Sequence, residues 1–251
     1  KELNLVAQDT TRYGQDLYGE YSLDKLLTEL CKIDGFHWIR VLYGYPDRVT
    51  DSLLEVMARE PKVVKYIDLP LQHASGRVLK EMNRNGNFDS LCALMQRIRS
   101  KVPGVVLRTT LIAGFPGETE EDFEQLCEFV RAVRFERLGC FAYSQEDTPA
   151  GEREDQVDPQ VRMHRADLVM EEQMDIAFQM GKELVGKKLE VLVEGYDDEQ
   201  QMYYGRSYMD APDIDTRTSF VTEQEEVQVG DFVWVEVLDS VGYDLIGRQI
   251  G

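Results

Sequence analysis

The side chains best able to bind or react gather at the ends of short apolar runs. Gln72, His73 and Ser75 follow the run YIDLPL. Gln72 and Ser75 could hold a ribose hydroxyl or a carboxylate there. His73 is an acid–base group or ligand in one reading. In the other, the backbone satisfies it and Ser75 caps the next helix. The sequence has no H-x-x-x-H and no Cys–His pair, which argues against a zinc centre. Arg108 precedes Thr109-Thr110 in an otherwise apolar run, and a guanidinium placed there needs a partner. That partner is either a substrate carboxylate or a structural salt bridge. Phe141-Ala142-Tyr143-Ser144 ends another run, where a planar ring could lie against exposed backbone or the aromatics could simply pack. Cys31, Cys92, Cys127 and Cys140 are far apart, with no CxxC, which fits buried thiols in a reducing compartment.

These groups need strands to present them. Residues 3–8, 37–43, 63–69, 105–113 and 138–143 are apolar, often β-branched, and read as strands. Residues 9–20 read as a loop. Ser22 caps a helix reaching residue 33, Thr50 or Asp51 one reaching 59, and Ser75 one reaching 82; another spans 88–101. Gly114-Phe115-Pro116-Gly117 breaks the fourth strand. Thr119 then caps a helix to residue 133, with Asp122 completing a capping box. The order βαβαβααβαβ requires crossovers and a parallel sheet, open or partly closed, whose ligand end lies beyond the carboxyl ends of the strands. Asp158-Pro159 starts a long helix that ends near Leu184. From Gly186 the texture changes to five short alternating strands punctuated by glycine, proline and Asp-Asp, the pattern of a small OB-like barrel.

Composition narrows the function. The 251 residues carry 28 Lys or Arg against 47 Asp or Glu, a net charge of −19. Residues 186–251 alone hold five basic against fifteen acidic side chains. A negative surface repels phosphate backbones and steers a basic partner, which argues against nucleic acid. No apolar run is long enough to cross a membrane, so a cytoplasmic protein is expected.

The stretches KELNLVAQDTTRYG, YIDLPLQHAS, RTTLIAGFPGETEEDF, FAYSQEDTPA and GRSYMDAPDID together resemble the radical-SAM methylthiotransferases that carry a TRAM domain. The resemblance spans the chain. YIDLPLQHAS and GRSYMDAPDID look most like the branch that modifies small-subunit ribosomal protein twelve. The resemblance implies an α/β fold: a partial parallel (β/α)6, TIM-like radical-SAM barrel over 1–157, a linking helix over 158–185, and a five-stranded antiparallel TRAM barrel over 186–251. It implies S-adenosylmethionine and two 4Fe–4S clusters. One cluster cleaves S-adenosylmethionine, the resulting radical takes a hydrogen from the β-carbon of an aspartate, and sulfur and a methyl group follow.

By position in the family, Glu2 matches the motif that meets the methionyl amino group. Gln72 and Ser75 match ribose or carboxylate contacts, and Arg108 and Thr110 the methionyl carboxylate or ribose. Ile112 and Gly114, with Phe141 and Ser144, match the backbone edges that face adenine. No catalytic residue is assigned. The family's CxxxCxxC loop and first strand are expected upstream of Lys1. The chain is therefore expected to be an N-terminally truncated piece that ligates neither cluster and is inactive alone. The implied partner is a basic ribosomal protein, met by the acidic TRAM domain. A tRNA adenosine methylthiotransferase and a non-catalytic binding scaffold are the alternatives.

Overall fold

A computed structural model of the chain describes residues 1–223 and 227–250. Its first half is an arc of five parallel strands in chain order: β1 (Glu2–Leu5), β2 (Trp38–Val41), β3 (Tyr66–Asp68), β4 (Val106–Ala113) and β5 (Arg137–Ala142). β1 pairs with β2, and β3, β4 and β5 pair in turn; a bridge from Ile39 to Val63 joins the two groups. The helices between them are α1 (Gln15–Tyr18), α2 (Leu23–Cys31), α3 (Asp51–Arg59), α4 (Gly76–Glu81), α5 (Phe88–Lys101) and α6 (Glu120–Val133).

Strand side chains alternate between two faces. In β4, residues 107, 109, 111 and 113 are buried, and Arg108, Thr110 and Ile112 are half-buried. The first face packs on the helices with Ile39, Val41, Ile67, Leu138 and Cys140, forming the main core. The second face lines the concave inside of the arc and carries Glu2, Arg40, Tyr66, Asp68, Arg108 and Thr110, which is why it can host polar chemistry.

The expected loop at 9–20 holds a 3-10 turn (Thr10–Arg12) and the one-turn α1, both too short to show helical periodicity. The expected strand at 63–69 shortens to three residues. The helix α7 (Pro159–Leu184) starts where Asp158 accepts from the Gln160 N–H with Pro159 at the first position. It is more than an external link, since Val169 and Ile176 join the main core and the helix also packs on the second half.

The second half is a closed barrel in the order β10–β8–β7–β6–β9, from β6 (Lys188–Asp197), β7 (Met202–Ser207), β8 (Thr218–Val221), β9 (Phe232–Val241) and β10 (Asp244–Ile250). Four of its pairings are antiparallel; the closing pair, β8 with β10, is parallel. Alternation along a strand fixes which face is buried but not the direction of its neighbour. Leu192, Met209 and Ala211 from this half pack on Trp38, Leu42, Tyr66 and Val106, so the small barrel and the segment after β7 close the amino end of the arc.

Candidate functional site

The amino end of the arc is filled with ion pairs. Glu2 accepts from Arg40 Nε at 2.8 Å and from Arg206 Nη2 at 2.7 Å. Burial alone would raise its pKa, but the Arg206 hydrogen bond and the Arg40 charge reverse this and hold the carboxyl below its usual range. Arg137 Nη2 donates to Asp210 Oδ1 at 2.5 Å. Tyr66 Oη donates to Asp215 Oδ2 at 2.5 Å, and burial together with that carboxylate pushes the phenol up, so it stays a donor. Glu2 therefore lies at the amino end of its strand with both carboxylate oxygens engaged, in an ion pair that joins the two halves of the chain.

Arg108 is likewise a structural cation. Its Nη1 donates to Asp68 Oδ1 at 2.9 Å, and Nε lies 3.5 Å from Asp215 Oδ1. Burial works against the charge, and the two carboxylates more than offset it, raising the pKa. The salt-bridge reading holds over the substrate-carboxylate reading.

The carboxyl end is open. Past β2, Tyr43 has φ of +58°; past β3, Gln72 has φ of +72°. Non-glycine residues enter that region only when their surroundings impose it, and such residues cluster at ligand sites. Gln72 is held by its own backbone: its N–H donates to Thr110 O at 2.9 Å and its C=O accepts from Ile112 N at 2.7 Å. Gln72, Glu81, Arg84, Ile112, Phe115 and Tyr143 are among the residues lining an open groove of about 490 Å³. Ile112 lies in register with Phe141, whose ring is 63% exposed, and Thr110 with Gly139. Ser144, farther out, donates to Glu146 Oε1. Of the matched residues, Gln72, Thr110, Ile112 and Phe141 stand together.

Ser75 and Gly114 do not join them. Ser75 Oγ donates to Asp122 Oδ1 at 2.6 Å in a partly buried cluster with Arg77 and Thr119. Burial opposes ionisation of Asp122, but the bonds from Arg77, Ser75 and Thr119 prevail and hold it well below the usual carboxylate range. Gly114, at φ +77°, donates its N–H to Glu118 Oε2 at 2.8 Å, and a β-carbon there would collide with the side chain of Arg162 on α7. The close approach of that helix requires a glycine here. His73 is satisfied in place: Nδ1 accepts from Ser75 N at 2.9 Å, which leaves Nε2 as the donor to Glu118 Oε2 at 3.2 Å.

Asp9, Thr10, Thr11, Tyr43 and Asp68 went unassigned in the sequence. Thr10 Oγ1 donates to Leu42 O, the N–H of Tyr45 donates to Thr11 Oγ1, and the N–H of Tyr43 donates to Asp68 Oδ2. Together they hold the turn after β2. The signal was present as polar residues directly after an apolar run.

Among the described residues no group of three or more His, Cys, Asp or Glu stands close enough to hold a metal. The four thiols sit on separate elements, and burial pushes Cys127 up to about 11 and Cys140 up to about 12. These side chains do not fit a 4Fe–4S cluster. The partly aromatic rim, with Glu81 and Arg84 in its lining, does fit a flat heterocycle with polar groups attached.

A parallel arc with its open end lined this way, closed below by a small barrel, defines a class. Residues 13–130 match the Radical SAM superfamily and residues 185–250 the TRAM domain, so the chain is a radical SAM domain joined to a TRAM domain. Coproporphyrinogen III oxidase (HemN) from Escherichia coli, a radical SAM enzyme, shares the fold at a TM-score of 0.53 and 20% identity, over 72% of this chain and 40% of that one.

The chain is 49% identical over 251 residues to "Ribosomal protein uS12 methylthiotransferase RimO" of Desulfitobacterium hafniense (strain Y51). It is 50% identical over 248 residues to the protein of the same name in Lachnoclostridium phytofermentans (strain ATCC 700394 / DSM 18823 / ISDg). These matches cover 100% and 98% of this chain, and each spans 56% of the relative's length.

Proposed function

We propose that the chain is the S-adenosylmethionine-facing barrel and the TRAM module of a radical-SAM methylthiotransferase acting on the β-carbon of an aspartate in small-subunit ribosomal protein twelve. The observation that carries this is the near-50% identity over essentially the whole chain to proteins of that name. The rim alone argues only for a flat ring carrying polar groups.

S-adenosylmethionine, when bound, supplies the radical precursor and the methyl group. The residues for it here are Gln72, Thr110, Ile112 and Phe141. The Gln72 amide can donate to and accept from ribose hydroxyls, Ile112 and Phe141 offer an apolar surface for adenine, and Thr110 offers one hydroxyl below them. The described side chains do not fit a 4Fe–4S cluster. The two clusters expected for the reaction would need ligands other than those described.

The TRAM module is the proposed docking surface for the ribosomal protein. Its charge is partly consumed: Asp210 and Asp215 face barrel arginines, and Glu194 faces Arg206. Asp198, Glu199 and Asp213 remain exposed. A Lys- and Arg-rich protein gains from such a surface at low salt. The test is binding of purified small-subunit ribosomal protein twelve and of tRNA to the chain at one ionic strength. The expected result is tighter binding of the protein, weakening as salt rises; equal or tighter binding of tRNA would overturn the reading.

A further inference from the structure

A continuous polar path runs through the inside of the arc, from the TRAM side to the open rim. It starts at Asp215, between β7 and β8. Asp215 is anchored through Oδ2, which accepts from Tyr66 Oη and, at 2.8 Å, from the N–H of Ala211. Its Oδ1 faces Arg108 Nε at 3.5 Å. Arg108 Nη1 donates to Asp68 Oδ1 at 2.9 Å, and Asp68 Oδ2 accepts from the Tyr43 N–H at 3.0 Å. The Asp68 side chain is fully buried and that of Asp215 nearly so. In such surroundings charge-assisted hydrogen bonds are strong and orient their partners. The path ends on a backbone N–H whose residue sits at φ +58°, a conformation that persists only where the surroundings impose it.

We propose that Asp215 is a positioning residue for the ligand rim. Through Arg108 and Asp68 it fixes the turn carrying Tyr43, so seating of the TRAM domain sets the shape of the rim. The proposal rests on the reading of that rim as the ligand end. The geometry favours such coupling because Arg108 stands between two carboxylates from different domains. With both present, its guanidinium is held on two sides, and Asp68 is aimed at Tyr43. With Asp215 neutralised, Arg108 follows Asp68 alone, and nothing ties the pair to the small barrel.

The test is amide hydrogen exchange in the 251-residue chain, wild type against Asp215→Asn, with Asp215→Glu as the rescue variant. Exchange at Tyr43 should rise about tenfold in Asp215→Asn, while amides in α5 and β9 hold their wild-type rates, and Asp215→Glu should restore much of the protection. Arg108→Gln cuts the path while leaving Asp215 its Tyr66 and Ala211 bonds, so it should give the same local signature even if Asp215→Asn does not fold. An unchanged Tyr43 amide in the folded variants, or acceleration across all amides together, would overturn the proposal. Failure of S-adenosylmethionine to bind the wild-type rim would instead sink the functional reading and leave the exchange result standing.

Discussion

Glu2 shows how far a residue's identity is from its role. It matched a ligand motif by position, yet it joins two arginines, one from each half of the molecule. Glu2→Ala would leave Arg40, which is 0% exposed, without a counter-charge and Arg206 with Glu194 alone, and should destabilise the fold by about 3–5 kcal/mol in chemical denaturation. The folded-state pKa of Glu2 lies below its ordinary value of 4.5. Its contribution is therefore present in full above that pH and is lost as pH falls through the lower folded value. Glu2→Gln should flatten this part of the acid limb of a stability-versus-pH curve; an unchanged limb would refute the assignment. The partners of Ser75 and Arg108 were not legible in the sequence, because Asp122, Asp68 and Asp215 lie 40 or more residues away. The positions of Gln72, Ile112 and Phe141 at or near strand ends were legible, because strand alternation and strand ends are local properties.

At the scale of elements the local signals were strong. Thr119 and Asp122 form the expected capping box, with each side chain bonded to the other's backbone N–H, and α6 follows at once. Thr119→Ala should cost about 1 kcal/mol in thermal or chemical unfolding. The long amphipathic helices were legible because periodicity and caps agree over many residues. β3 was legible only in part, since the run VVKYIDL at 63–69 reads as one strand but only Tyr66–Asp68 pair with β4. The glycine turn was legible as a turn, but its packing was not. Its demand comes from Arg162 on α7, whose Cα a β-carbon on Gly114 would approach to 2.9 Å. Gly114→Ala should therefore lose about 2–4 kcal/mol from overpacking and left-handed strain together. Gly35→Ala, at φ +97° with open space around it, should lose only the strain, about 1–2 kcal/mol. Equal losses at the two positions, measured by denaturant titration, would contradict this.

The whole molecule is an arc of strands whose amino end is closed by the TRAM barrel. The two halves were legible as a change of texture at Gly186, but their contact was not. Nothing local to GRSYMDAPDID says that Arg206, Asp210 and Asp215 reach into the arc. Residues 1–185 without the small barrel would expose Trp38, Leu42, Tyr66 and Val106 and strip Arg137 of its carboxylate. That piece should aggregate or unfold at lower denaturant than the whole chain, as light scattering and circular dichroism would show; equal stability would refute a structural role for the TRAM domain.

The central claim is that ligand binds at the carboxyl rim and that the amino end is structural. A heteronuclear NMR titration of the chain with S-adenosylmethionine tests it most directly. The account predicts shift changes concentrated at the amides of Gln72, Ile112 and Phe141, with those of Glu2 and Ser75 unmoved. Changes centred on Glu2 and Arg206, or a silent rim at high ligand concentration, would contradict it.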